Sequence, residues 1–400
     1  MEYSTDRKVY DSPDDITSVD LTIRAVSGNL SPVIYANGRN QLPVEIIAKA
    51  MKENPDGSET ILKFTAKIWL HILNLRHAES DEKLISQGSS GWCFTSFVND
   101  YSREVNTGDS LTEPRYMEPG DELMTLYVYT DDISSRRIAV SIDTDGGKHF
   151  TTADNASGAE RCSVSVRAIQ PINYSNVQNL KIIPDNWVTR ISPLRYKDQQ
   201  KAIIWANEHY GGFIRRRKFA IVTANGYTIT HKNVPPGLSG GYKQSVLYHQ
   251  KAMPHALLLV TQPDGGYLNS WFVAPDGYER GYLNAINWNF DDMSDPYWPD
   301  LYFSDNVEGE YVAGTWAFWP YTEANNNSWE KFPVEDDCIS IVCFQLYVPD
   351  TSPLYWGSDC RPNYISDPAV PVTLIDLYGN EGTFNITFNS SVAGDISISP

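Results

Sequence analysis

Basic residues are in short supply: 32 Lys and Arg face 50 Asp and Glu, for a formal net charge of −18 over 400 residues. Nucleic-acid binding and attraction to an anionic membrane both rest on Lys and Arg, so the average surface disfavours both. The same charge favours solubility. Long apolar runs are missing as well. None approaches the ~18 residues that span a bilayer. The stretch Met1-Glu2-Tyr3-Ser4-Thr5-Asp6 lacks the charged start and apolar core of a secretory signal. The expectation is a chain without membrane insertion, cytoplasmic when made, that reaches any extracellular site of action by lysis or a dedicated export machine. Cysteine is sparse and odd in number, at 5, which excludes a disulfide scaffold. Cys338 and Cys343 would point to opposite faces of one strand, so buried thiols are expected, with a bridge from Cys360 as the alternative.

What is abundant points to strands. There are 24 Tyr, 11 Trp and 14 Phe beside 26 Gly and 24 Pro. Aromatic residues suit pleated, half-buried surfaces, and Gly and Pro supply chain reversals. A single core stops growing at about 250–300 residues, so two or three domains are expected. Residues 1–18 are polar and read as a leader or arm; 19–175 and 176–400 read as two β-rich domains. Strand character shows at Val33–Ala36, Val44–Ala48, Leu123–Tyr129, Arg137–Ile142, Lys148–Thr152 and Cys162–Ile169. Phe64–Ile72 alternates at period two and reads as a strand, with a helix competing; Arg76–Lys83 reads as a helix or an exposed loop. In the second half, Lys218–Ala224 and Tyr227–His231 flank Asn225-Gly226, the strongest hairpin signal in the chain. Asn37-Gly38 hints at a related hairpin. A short helix is expected over Lys197–His209, and strands at Ala256–Thr261, Tyr267–Val273, Tyr282–Phe290, Cys338–Val348, Val370–Leu377 and Thr383–Phe388.

Two segments resemble bacterial immunoglobulin-like modules of invasins and other adhesins. One is Ile34-Tyr35-Ala36-Asn37-Gly38 with Leu42-Pro43-Val44-Glu45-Ile46 and Asp56-Gly57. The other is Val370-Pro371-Val372-Thr373-Leu374 with Asp376, Tyr378-Gly379-Asn380-Glu381-Gly382 and Thr383-Phe384-Asn385-Ile386. The resemblance covers about a tenth of the chain and implies antiparallel β-sandwiches with few short helices, and surface recognition. It carries over no functional residue.

The residues richest in binding chemistry are Trp288, Asp291, Asp292, Asp295, Tyr297 and Trp298, continued by Trp316, Trp319 and Tyr321. Sugars offer apolar faces that stack on Trp and Tyr, and hydroxyls that pair with carboxylates and amides. Asp291, Asp292 and Asp295 are also the candidate calcium ligands; no other cofactor is implied. The plainer reading is a loop that folds its rings into the core. Gly237-Leu238-Ser239-Gly240-Gly241 matches a nucleophile-elbow string, but Pro235 and Pro236 precede it where a strand must enter. The 7 histidines show no compact metal-ligand spacing. Asp143-Thr144-Asp145-Gly146 looks like part of a calcium loop and is more cheaply a hairpin turn. Arg215-Arg216-Arg217-Lys218 is expected to pair with acidic neighbours. These features favour a non-enzymatic, bacterial or phage-derived protein that binds a glycan or cell surface. A subunit of a self-assembling particle or toxin complex, with copies of itself or other subunits as partners, is the first alternative. A glycoside hydrolase, which needs two carboxylates about 5–10 Å apart across a cleft, is the second.

Overall fold

The computed structural model describes residues 10–105, 117–155, 158–186, 188–190, 213–233, 257–260, 267–273, 337–347, 369–389 and 394–400. The chain forms two compact units, Met1–Ile172 with Leu377–Asn380, and Asn173–Asp376 with Glu381–Pro400. The first holds β1 (Ser18–Ala25), β2 (Val33–Tyr35), β3 (Leu42–Glu53), β4 (Glu59–Ile61), α1 (Ala66–Ile72), β5 (Leu73–His77), β6 (Ile85–Ser86), β7 (Trp92–Thr95), β8 (Glu122–Thr130), β9 (Ser135–Asp143), β10 (His149–Thr151) and β11 (Val164–Ile169). The second holds β12 (Leu180–Pro184), β13 (Val188–Arg190), β14 (Phe213–Thr223), β15 (Ile229–Asn233), β16 (Leu257–Val260), β17 (Tyr267–Val273), β18 (Ile339–Tyr347), β19 (Ala369–Asp376), β20 (Glu381–Phe388) and β21 (Ile396–Ser399). The expected β class therefore holds in its coarse form, with one α-helix among the described residues.

In the first unit one sheet runs β1-β3-β8-β7-β6, with β4 beside β3, and the other runs β10-β9-β11-β2, with β5 beside β9. Most pairs are antiparallel; β2–β11 and β6–β7 are parallel. Val19, Leu21 and Ile23 of β1 and Val44, Ile46 and Ala48 of β3 share one core with Ile138, Val140 and Ile142 of β9 and Val164 and Val166 of β11. Alternate residues of each strand face inward because successive side chains point to opposite faces. In the second unit one sheet runs β12-β14-β18-β17-β16, with β13 on β14, and another runs β15-β19-β20-β21. The β19–β20 hairpin keeps strict alternation: Val370, Val372, Leu374, Phe384, Ile386 and Phe388 are fully buried.

Several sequence expectations change. Phe64–Ile72 is not a strand. Thr65 caps α1 by accepting from the Ile68 amide, and Trp69 and Ile72 bury one face while Leu70, inward in the period-two reading, is 44% exposed. Trp69 packs edge-on against Phe64 at 5.1 Å. Arg76–Lys83 is neither a helix nor only a loop: it begins in β5, and Arg76 and Lys83 form an isolated bridge. Residues 10–17 are not a detached arm. Ile16 is fully buried, Asp14 Oδ1 accepts from the Gly146 amide at 2.8 Å, and Lys148 Nζ donates to the Ile16 carbonyl at 2.6 Å.

The largest change concerns the Asn-Gly steps. The Asn225-Gly226 turn forms as expected, with Gly226 at φ +81° and its amide 3.2 Å from the Thr223 carbonyl. It does not close a hairpin, because β14 is already paired by β12 and β13 on one edge and β18 on the other. β15 joins β19 in another sheet. Asn37-Gly38 behaves alike: β2 pairs with β11, whereas β3 is held between β1 and β8. The helix expected at Lys197–His209, the strand at Tyr282–Phe290 and the Gly237–Gly241 string lie outside the described residues.

Gly382 sits where a main chain passes very close: a Cβ there would stand 2.2 Å from the Ser175 nitrogen and 2.4 Å from the Tyr174 carbonyl carbon. Both neighbours are backbone and cannot swing aside. Gly382→Ala is expected to destabilise the second unit by about 3 kcal/mol or more. Gly57→Ala, strained by φ +80° but with open space around its Cβ, should cost only about 1 kcal/mol. Hydrogen exchange of the β19–β20 amides separates the two outcomes.

Candidate functional site

The densest ionic cluster among the described residues lies where β5, β9 and β10 meet the turn after β5. β9 and β10 pair with His149 opposite Asp143, and β5 lies on the other edge of β9. This places Asn74 and Arg76 of β5 beside Ser141 and Asp143 of β9, with His149 and Thr151 of β10 alongside. The turn adds Asp81, at φ +60°, a left-handed conformation that aspartate tolerates better than most residues.

His149 is held between two carboxylates. Its Nδ1 is 2.7 Å from Asp143 Oδ1 and its Nε2 is 2.8 Å from Asp81 Oδ2. Arg76 Nη2 donates to both Asp143 oxygens at 2.9 and 3.0 Å, its Nε donates to Ser141 Oγ at 2.6 Å, and its Nη1 donates to the Asp81 carbonyl. Asn74 Nδ2 at 2.7 Å, Ser141 Oγ at 3.0 Å and Lys83 Nζ at 3.2 Å crowd the second Asp143 oxygen. Thr151 Oγ1 donates to Asp81 Oδ1 at 2.8 Å. Two carboxylates thus face two permanent cations and one imidazole. Arg76 is 9% exposed, and burying a guanidinium is tolerable only with this degree of pairing.

Burial pushes the Asp143 carboxyl up, but hydrogen bonds from His149, Arg76 and Ser141 and the Arg76 charge outweigh it and hold the carboxyl at about 2. The arrangement binds the turn after β5 to β9 and β10. It is not a nucleophile–base pair. Such a pair needs the imidazole within reach of a hydroxyl, whereas both His149 nitrogens meet carboxylates and the Ser141 and Thr151 hydroxyls donate to carboxylates.

The residues singled out from the sequence fall elsewhere. Trp288, Asp291, Asp292, Asp295, Tyr297, Trp298, Trp316, Trp319 and Tyr321 all lie outside the described residues, as does the calcium site expected at Asp291, Asp292 and Asp295. What is described is their frame. The chain leaves β17 at Val273 and re-enters at β18, and these strands pair along their length, with Val273 opposite Ile341. The Asp143–Gly146 motif is a turn, with the Gly147 amide 3.0 Å from the Thr144 carbonyl. Its carboxylates diverge: Asp143 joins the cluster, and Asp145 lies 3.2 Å from His71. Among the described residues no group of three or more His, Cys, Asp or Glu side chains is arranged to hold a metal ion. Of the basic run, Arg217 pairs with Asp395 at 2.7 Å, as expected, and lies over the Phe219 ring. Cys93, Cys338 and Cys343 are buried. No helix among the described residues is long and apolar enough to cross a membrane. No protein-family model matches the chain, and no curated protein matches it.

A pH dependence follows from Asp143. Its folded carboxyl titrates at about 2 against an ordinary 3.8, so in acid the unfolded chain takes up this proton first. The stabilisation, about 2 kcal/mol, is complete above the ordinary value and is lost as pH falls through 2. Asp143→Asn should flatten the acid limb of the stability profile between those limits, measured by denaturant titration at stepped pH. Arg76→Met should cost about 3 kcal/mol at neutral pH, because the carboxylates it leaves stay half-buried without it.

Proposed function

We propose that the chain is a non-enzymatic recognition protein, of bacterial or phage origin, that binds a glycan or a cell surface. Its two units are immunoglobulin-like β-sandwiches, and the segment between β17 and β18 carries the ligand. The observation that bears most weight is the position of that segment. Trp288, Asp291, Asp292, Asp295, Tyr297, Trp298, Trp316, Trp319 and Tyr321 all belong to one insertion between two neighbouring, paired strands. Insertions at the ends of a rigid sheet are where β-proteins concentrate recognition. The sandwich reading is supported by the first unit, where one core takes side chains from both sheets.

A glycan array probed with the full-length protein, with and without calcium, tests the reading. Binding to a defined set of sugars is expected. Trp298→Ala should weaken it by about 30-fold or more, the effect of removing a central aromatic anchor. Asp292→Asn should lower it only when calcium is present, if the carboxylates hold the ion. No binding in either condition would remove the glycan reading, and turnover of an arrayed sugar would replace it with the hydrolase.

A further inference from the structure

The sequence contains two Asn-Gly steps, Asn37-Gly38 and Asn225-Gly226. Both form turns that carry the chain from one sheet to another, and their surroundings differ sharply. We infer that Asn225 is a site of spontaneous deamidation through its own backbone, and that Asn37 is protected from the same reaction by the structure.

The chemistry needs only water. The Gly226 main-chain nitrogen loses its proton to solvent and attacks Asn225 Cγ. A C–N bond forms, the side-chain nitrogen leaves as ammonia, and a five-membered succinimide results. Water then opens one of its two carbonyl–nitrogen bonds. Opening on one side gives Asp; opening on the other gives isoaspartate, in which the chain runs through the former side chain. Nothing is oxidised or reduced. Glycine favours the attack because no Cβ crowds the nitrogen, and asparagine is among the residues heat damages most readily.

Ring closure requires the side-chain amide to swing over the following nitrogen. At Asn225 little opposes this: Asn225 and Gly226 are both exposed, and among the described residues the side chain makes one hydrogen bond, from the Tyr227 amide at 3.2 Å. Asn37 is fixed from both ends. Its Nδ2 donates to the Tyr378 carbonyl at 2.9 Å and to Asn380 Oδ1 at 3.2 Å, and its Oδ1 accepts from the Arg39 and Asn40 amides at 3.0 and 2.8 Å. The nucleophile differs in the same sense: the Gly38 amide is 2.9 Å from the Thr130 carbonyl, and the Gly226 amide is 3.2 Å from that of Thr223. Conversion at Asn225 adds a negative charge, and in the isoaspartate an extra main-chain carbon, beside the Thr223 hydroxyl that donates to the Tyr227 carbonyl at 2.6 Å. Ageing thus loosens the point where β14 hands the chain to β15.

The full-length protein is aged in mildly alkaline buffer, digested and mapped by mass spectrometry, with enzymatic methylation of isoaspartate as a second readout. The Asn225 peptide is expected to gain roughly one mass unit and to accept the methyl label. Its rate should exceed that of the Asn37 peptide by about tenfold or more, a barrier difference of about 1.4 kcal/mol. In urea the two rates should converge, because protection belongs to the fold. Asn225→Gln, which would need a larger ring, should remove the signal and leave the far-ultraviolet spectrum unchanged. Equal conversion at both positions in the native protein, faster conversion at Asn37, or conversion of Asn225 only after unfolding would each overturn the proposal.

Discussion

Buried main-chain groups must be paired, and the strands that lie between two neighbours decide how this chain can run. β3 is held by β1 on one edge and β8 on the other; β14 is held by β12 and β13 on one edge and β18 on the other. Where both edges are already occupied beside a turn, as at the start of β3 and the end of β14, the strand across that turn cannot join as a partner, although β4 still finds a free edge at the far end of β3. The chain that enters β3 or leaves β14 must therefore change sheet, and it does so at the two Asn-Gly turns. The same pairing sends side chains alternately inward and outward, so the apolar residues of β1 and β3 meet those of β9 and β11 in one core.

This constraint explains which parts of the fold could be read from sequence. Alternation was legible where both faces are unambiguous: Val370 to Asp376 and Glu381 to Phe388 bury every second residue, and the glycine between them takes a left-handed turn. Turn chemistry was legible at Gly38, Gly147 and Gly226, all at positive φ. Partner choice was not. Asn-Gly says that a chain reverses locally and says nothing about whether the preceding strand still has an edge to offer. Phe64–Ile72 failed for a different reason. Phe64, Ile68, Leu70 and Ile72 alternate as a strand would, and the Thr65 cap that tips the balance is one hydroxyl among many. The buried Ile16 stands alone among polar neighbours from Asp11 to Ser18, too little for any periodicity to register.

The His149 cluster shows why a site can be invisible in sequence even when every member is chemically conspicuous. Asp81 and His149 are 68 positions apart, Arg76 and Asp143 67, and Asp81 and Thr151 70. Only the pairing of β5 and β10 with β9 brings them together. Local signals existed, with Arg76 near Asp81 and Asp143 near Ser141 and His149, but the Asp143–Gly146 motif drew attention to its own carboxylates. The structure divides them between different partners. In the low dielectric of a half-buried site each such group has to be satisfied, which is why the cluster recruits two cations, an amide and two hydroxyls.

That self-sufficiency bears on where ligand chemistry can reside. Polar groups that hold the framework together spend their hydrogen-bonding capacity on one another and have little left for a partner. The register between β17 and β18 runs unbroken from Tyr267 opposite Tyr347 to Val273 opposite Ile341. A hairpin in that register needs only about two to five residues to close, so the ladder does not call for the aromatic and acidic segment placed there. The composition of residues 274–336, with its rings and carboxylates, is therefore not dictated by the closure of this ladder.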